Sequence, residues 1–156
     1  MKIKLLWIGK PDADDLDTAL RQYLQKIKFY TPFEVVTIPY LKNTKSLSMD
    51  EQKKREGELI LKKIEPSDYI VLLDERGKEY TSEGFAQFIQ QQANSGLKTL
   101  VFIIGGPFGF SPAVYERRNS QIALSKFTFP HILTRLIFAE QLYRAFTILH
   151  HEPYHH

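Results

Sequence analysis

Thr99-Leu100-Val101-Phe102-Ile103-Ile104 runs straight into Gly105-Gly106-Pro107-Phe108-Gly109-Phe110-Ser111-Pro112, and this junction decides the fold class. The first six residues, apolar after Thr99 and rich in β-branched and aromatic side chains, read as a strand covered on both faces. The glycines end that strand. Ser111 as N-cap and Pro112 at the first helical position then open a short helix predicted to reach about Asn119. A buried strand that turns directly into a helix is the building unit of a parallel α/β sheet.

The same alternation continues in both directions. Lys2 to Ile8 and Phe33 to Ile38 read as strands, and Tyr69 to Leu73 is another continuous apolar run. Asp14 to Phe29 carries Leu16, Ala19, Leu20, Tyr23, Leu24 and Ile27 on one helical stripe. Ser48 with Glu51 forms a capping box for a polar helix reaching about Ile64. Ser82 to Asn94 is helix-length. A brief strand at Gln121 to Leu124 precedes a final helix from Ile132 to Leu149, apolar nearly all round and so either buried or covered by a partner subunit. The expectation is one α/β domain over residues 1–156 with a mostly parallel sheet. Its ligand loops lie beyond the strand ends at Leu73, Ile104 and Leu124.

Composition narrows the function. The chain has 156 residues, 43% of them hydrophobic, and no cysteine, which excludes disulfides, cysteine-ligated metal centres and thiol nucleophiles. A formal net charge of +3 does not coat nucleic acid by charge alone. The densest basic stretch, Lys53-Lys54-Arg55 with Lys62-Lys63, is interleaved with Glu51, Glu56, Glu58 and Glu65 and reads as a solvated helix face. The N-terminus meets charge by Lys10 and Asp12 without the apolar stretch of a signal peptide, and no run matches a membrane span. The expected location is the cytoplasm, with no membrane partner.

The loop from Gly105 to Gly109 lacks the Lys-Ser/Thr of a phosphate-binding loop and the spacing of a dinucleotide fingerprint. It favours a nucleoside-like ligand held by backbone groups, or else it is a plain tight turn. Leu73-Asp74-Glu75-Arg76-Gly77-Lys78 is a polar loop of a generic kind. Phe127 and Phe129 sit in a loop of low charge, where aromatics either plug a core or stack on a flat ligand. Glu140 and Arg144 are an ordinary i,i+4 helix pair or a functional one, and Arg135 is either functional or a surface charge. The tail holds four of the five histidines, but Pro153 interrupts the geometry a metal site would need, so no metal is expected. Tyr154 and His155 are suited to stacking on RNA and hydrogen-bonding it.

Together these residues resemble the small SPOUT-class methyltransferases of the RlmH type, which act on N3 of a pseudouridine in bacterial 23S ribosomal RNA. The resemblance spans essentially the whole chain. It rests on Leu72-Leu73-Asp74 with Gly77-Lys78, Ile104-Gly105-Gly106-Pro107 with Gly109 and Ser111-Pro112, and Ser125 with Thr128-Phe129-Pro130-His131. Further along it takes in Arg135, Ala139-Glu140-Gln141-Leu142-Tyr143-Arg144-Ala145 and Pro153-Tyr154-His155. One departure is Phe108, where the family usually has Glu.

The resemblance implies the SPOUT α/β-knot fold with a C-terminal trefoil knot, and a homodimer acting on 23S rRNA in the large subunit or assembled ribosome. It also implies S-adenosylmethionine held around Leu73, Gly105, Gly106 and the loop Leu124, Ser125, Lys126, Phe127, Thr128 and Phe129. The same resemblance makes Arg144 a candidate to stabilise a deprotonated base, His155 or Glu140 a candidate proton acceptor, and Tyr154 a contact to the target base. A non-catalytic RNA-binding module of the same fold is the alternative, with Phe108 as its hint. An enzyme acting on transfer RNA fits less well, because no added RNA-binding domain is present.

Overall fold

The computed structural model describes residues 1–10 and 15–156. Five strands, β1 (Lys2–Ile8), β2 (Phe33–Ile38), β3 (Tyr69–Glu79), β4 (Thr99–Ile104) and β5 (Ser120–Ala123), form one sheet in the order β2-β1-β4-β3-β5. Every pairing is parallel. Five α-helices cover it: α1 (Asp15–Ile27), α2 (Met49–Lys62), α3 (Ser82–Asn94), α4 (Pro112–Arg117) and α5 (His131–Leu149). The expected helix start at Asp14 lies outside the described residues.

Alternating side chains of the central strands divide between two cores. Leu5, Trp7, Val71, Leu100, Phe102 and Ile104 face α1, α3 and α5, while Leu6, Ile8, Ile70, Leu72, Val101 and Ile103 face α2 and α4. Both faces are therefore covered, which is why these strands read as unbroken apolar runs. Phe102 meets Phe138 of α5 with ring centroids 4.8 Å apart. Burying each such ring contributes about 1.5–3 kcal/mol, so this contact anchors the middle of α5 on the sheet.

Two helix starts follow their sequence signals, at Ser48 and Ser111, and Thr81 caps a third. Ser48 Oγ accepts the Glu51 N–H at 3.1 Å, Thr81 Oγ1 the Gly84 N–H at 2.9 Å, and Ser111 Oγ the Val114 N–H at 3.4 Å.

Two expectations need correction. Glu56 is not on a solvated face; it is 3% exposed and packs inward from α2 with Gly57 and Ile60. The strand beginning at Tyr69 does not end at Leu73. It makes an excursion through Asp74–Gly77 and rejoins β5, so that Ile122 is paired with both Leu73 and Lys78. Gly77 permits this return: a Cβ there would stand 2.6 Å from backbone atoms of Gln121 and Ile122, closer than any side chain allows.

Candidate active site

A cavity of about 680 Å³ opens beyond the carboxyl ends of β3, β4 and β5, within the size range of small-molecule sites. Its walls are the Leu73–Arg76 excursion, the Ile104–Phe110 turn, the β5–α5 loop and the start of α5 at His131 and Thr134. Leu73, Gly105, Gly106, Leu124, Ser125, Phe127, Thr128 and Phe129 all line it. Lys126 does not; its ammonium points outward to Glu79 at 3.7 Å.

The glycine turn closes tightly. Gly109 takes a positive φ of 83° and its N–H donates to Gly106 O at 3.2 Å. A Cβ on Gly106 would meet the Glu56 carboxylate at 2.6 Å. Glycine is thus required here by the backbone's own turn and by what lies beneath it.

A polar brace holds the excursion of β3. The Tyr115 hydroxyl donates to Asp74 Oδ2, Arg76 Nη2 donates to the Tyr115 oxygen at 2.7 Å, and the Arg76 N–H donates to Asp74 Oδ1 at 2.8 Å. Burial pushes the Asp74 carboxyl up, but the Tyr115 hydroxyl, the Arg76 N–H and the Arg76 charge outweigh it and hold the group below its ordinary range. Arg76 is the only Lys or Arg among the lining residues, and this brace engages it. The cavity therefore offers no free Lys or Arg to a phosphate among the described residues. It suits a ligand without phosphates, gripped by backbone and apolar surface.

The residues singled out near the C-terminus form a separate cluster. Arg144 donates to Glu140 Oε1 from Nε at 2.9 Å and from Nη2 at 2.6 Å. Tyr154 Oη donates to the same oxygen at 2.9 Å. The Arg144 guanidinium lies over the Tyr154 ring at 4.7 Å and its Nη1 meets His155 Nδ1 at 3.1 Å. The Glu140 hydrogen bonds raise Arg144 further above its ordinary value. Burial, then hydrogen bonds with Tyr23 and Glu140, raise Tyr154.

The chain's return after α5 builds this cluster. His151 adopts a left-handed conformation, the Glu152 N–H reaches back to Thr147 O at 2.9 Å, and Tyr30 donates to the Glu152 carboxylate at 2.8 Å. The structure thus brings Glu140, Arg144, Tyr154 and His155 together, but none of them lines the cavity. Thr134 lines it, and Arg144 lies ten residues further along α5, about 15 Å at helical rise.

A sequence family described as "Predicted SPOUT methyltransferase" matches residues 1–155 of the chain. The chain belongs to the SPOUT methyltransferase family. Curated relatives called "Ribosomal RNA large subunit methyltransferase H" include proteins of Christiangramia forsetii, 54% identical, and of Parabacteroides distasonis and Bacteroides thetaiotaomicron, each 53% identical. Each match covers 100% of this chain and 99% of the relative.

Within this SPOUT methyltransferase, several site residues escaped sequence reading. Tyr115, the centre of the brace, sits in a short helix whose composition is unremarkable. Glu83, whose carboxylate meets His155 Nε2 at 2.7 Å, looks like any acidic residue in a first helical turn. Arg135 is neither a surface charge nor part of the cavity lining. It is 1% exposed, donates to Ile8 O at 2.9 Å and Lys10 O at 3.1 Å, and stacks over Trp7 at 4.6 Å. It secures the end of β1 beneath α5. No three His, Cys, Asp or Glu side chains among the described residues are grouped to hold a metal ion, and no helix of these residues is long and apolar enough to cross a membrane.

Proposed function

We propose that the protein transfers a methyl group from S-adenosylmethionine to N3 of a pseudouridine in 23S ribosomal RNA. It acts in the cytoplasm as a homodimer on the large subunit or the assembled ribosome. The observation that carries this reading is full-length likeness to relatives called "Ribosomal RNA large subunit methyltransferase H", at 54% and 53% identity. The cavity supports it through its volume, its glycine turn and, among the described residues, the engagement of its lining arginine, Arg76, by the Tyr115–Asp74 brace.

S-adenosylmethionine, when bound, supplies a methyl group already activated on a sulfonium. Leu73, Gly105, Gly106 and the Leu124–Phe129 loop, with Lys126 contributing backbone only, would hold it. The rest is positioning and charge. N3 of a pseudouridine is an imide nitrogen that becomes a good nucleophile on losing its proton. Arg144 stabilises the resulting anion, His155 or Glu140 takes the proton, and Tyr154 contacts the base.

The separation of about 15 Å along α5 supports a cluster that serves another copy's cavity instead of its own. A complete site takes the cavity of one copy and the tail of the other. Leu133 and Ile137, one turn apart on α5, are half-buried and belong to neither core cluster. They supply an apolar stripe for that contact. Calorimetry with S-adenosylmethionine tests the cofactor assignment: saturable binding is expected, and none would favour a non-catalytic RNA-binding module.

A further inference from the structure

We propose that Glu83 is a positioning residue that, together with Arg144, holds His155 as the Nε2–H tautomer and leaves Nδ1 as the proton-accepting atom of the site. This rests on the methyl-transfer reading above and assigns the base which that reading leaves between His155 and Glu140.

A guanidinium only donates, so the 3.1 Å contact between Arg144 Nη1 and His155 Nδ1 requires a lone pair on Nδ1. A neutral imidazole then carries its proton on Nε2, and that N–H points at Glu83 Oε1, 2.7 Å away. The partner on each side of the ring demands the same tautomer, the arrangement by which a carboxylate orients a catalytic imidazole. The hydrogen bond from His155 in turn holds the Glu83 carboxyl below its ordinary range.

Glu140 is unsuited to the task. Its Oε1 already accepts Arg144 Nε, Arg144 Nη2 and Tyr154 Oη, and its Oε2 accepts Gln141 Nε2 at 2.8 Å. Among the described residues, the charged and titratable groups facing the His155 cluster are Arg144 and Glu140 on α5, Glu83 on α3, Tyr23 on α1 and Tyr154 in the tail.

The proton step follows. When Arg144 Nη1 turns from Nδ1 to the oxygen of a bound imide, the Nδ1 lone pair is freed. The N3–H bond breaks, its proton passes to Nδ1, and the bonding pair stays on N3. The imidazolium that forms keeps its Nε2–H on Glu83, which offsets its charge, and later gives the proton to water.

The test uses the full-length protein labelled with ¹⁵N in histidine. His155 is assigned by its loss in His155→Gln, and its ring nitrogens report the tautomer without any substrate. The wild type is expected to show Nε2–H. Glu83→Gln should keep that signature through its amide oxygen, and Glu83→Ala, which frees the ring to swing away from Arg144 Nη1, should give a mixture of tautomers. On large subunits, Glu83→Ala should lower kcat about tenfold with the KM for S-adenosylmethionine unchanged, and Glu83→Gln should recover part of the loss. An Nδ1–H wild type, or a Glu83→Ala protein with the wild-type signature and an unchanged kcat, would overturn the proposal. Should the wild type itself transfer no methyl, the methyl-transfer reading fails, while the tautomer signature still decides the Glu83–His155 pairing.

Discussion

The Thr128 hydroxyl donates to Glu75 Oε2 at 3.1 Å, tying the β5–α5 loop directly to the excursion of β3 across the cavity. The excursion is also braced to α4 through Tyr115, so two of the cavity's walls are fixed relative to each other before any ligand arrives. Thr128→Val removes one exposed hydrogen bond, at a cost of about 0.5–1.5 kcal/mol where that bond forms. Calorimetry should show S-adenosylmethionine binding weakened about threefold to tenfold, with the melting temperature lowered by about 2–4 °C per kcal/mol of folding stability lost.

Tyr115→Phe tests the brace. Asp74 is held below its ordinary range, so its ionisation contributes stability above the usual carboxylate range near pH 4. That contribution is lost as pH falls through the folded value. Without the hydroxyl, stability near neutral pH should drop by about 1 kcal/mol. The acid-side decline should become shallower, as read by urea unfolding from pH 3 to 7 (roughly the carboxylate range and above).

Glu56 carries the opposite sign. Burial raises its carboxyl, a 3.5 Å hydrogen bond from Gln52 only partly offsets this, and Oε1 has no hydrogen-bond partner among the described residues. A raised carboxyl favours the folded state below the unfolded value near pH 4.3, and that advantage is lost as pH rises through the folded value. Glu56→Gln keeps the shape beneath Gly106 without the charge. Thermal melts should place it above the wild type at neutral pH, with the gap closing on acidification.

Arg144→Ala separates the two halves of the site. Arg144 is proposed to act on the acceptor base and does not line the cavity, so calorimetry should find S-adenosylmethionine binding within about twofold of wild type. Methyl transfer to large subunits should fall by about a hundredfold or more. Equal loss of both would mean that the cluster serves cofactor binding instead.

What could be read from the sequence followed from periodicity and local chemistry. α3 occupies Ser82–Asn94 and β4 occupies Thr99–Ile104, because each is bounded by its own signals: Thr81 as cap, Gly96 beyond the helix end, the glycine turn after Ile104. The extension of β3 past Asp74 was hidden, since it depends on Gly77 lying against the backbone of Gln121 and Ile122, far along the chain. Glu56 looked solvated because its neighbours Lys53, Lys54 and Arg55 are charged, yet it lies on the buried stripe of α2 with Gly57 and Ile60, beneath Gly106. Tyr30 and Glu83 acquire meaning from the returning tail, which brings Glu152 and His155 to partners 122 and 72 positions away. No local pattern encodes such pairings.

Methylation of large-subunit ribosomal RNA by this chain is read out by mass spectrometry of 23S rRNA from a strain lacking the protein, with and without the wild-type chain restored. One pseudouridine should lose its N3-methyl group in the deletion strain and regain it with the wild-type chain but not with Arg144→Ala. An identical modification pattern in all of these strains would contradict this assignment.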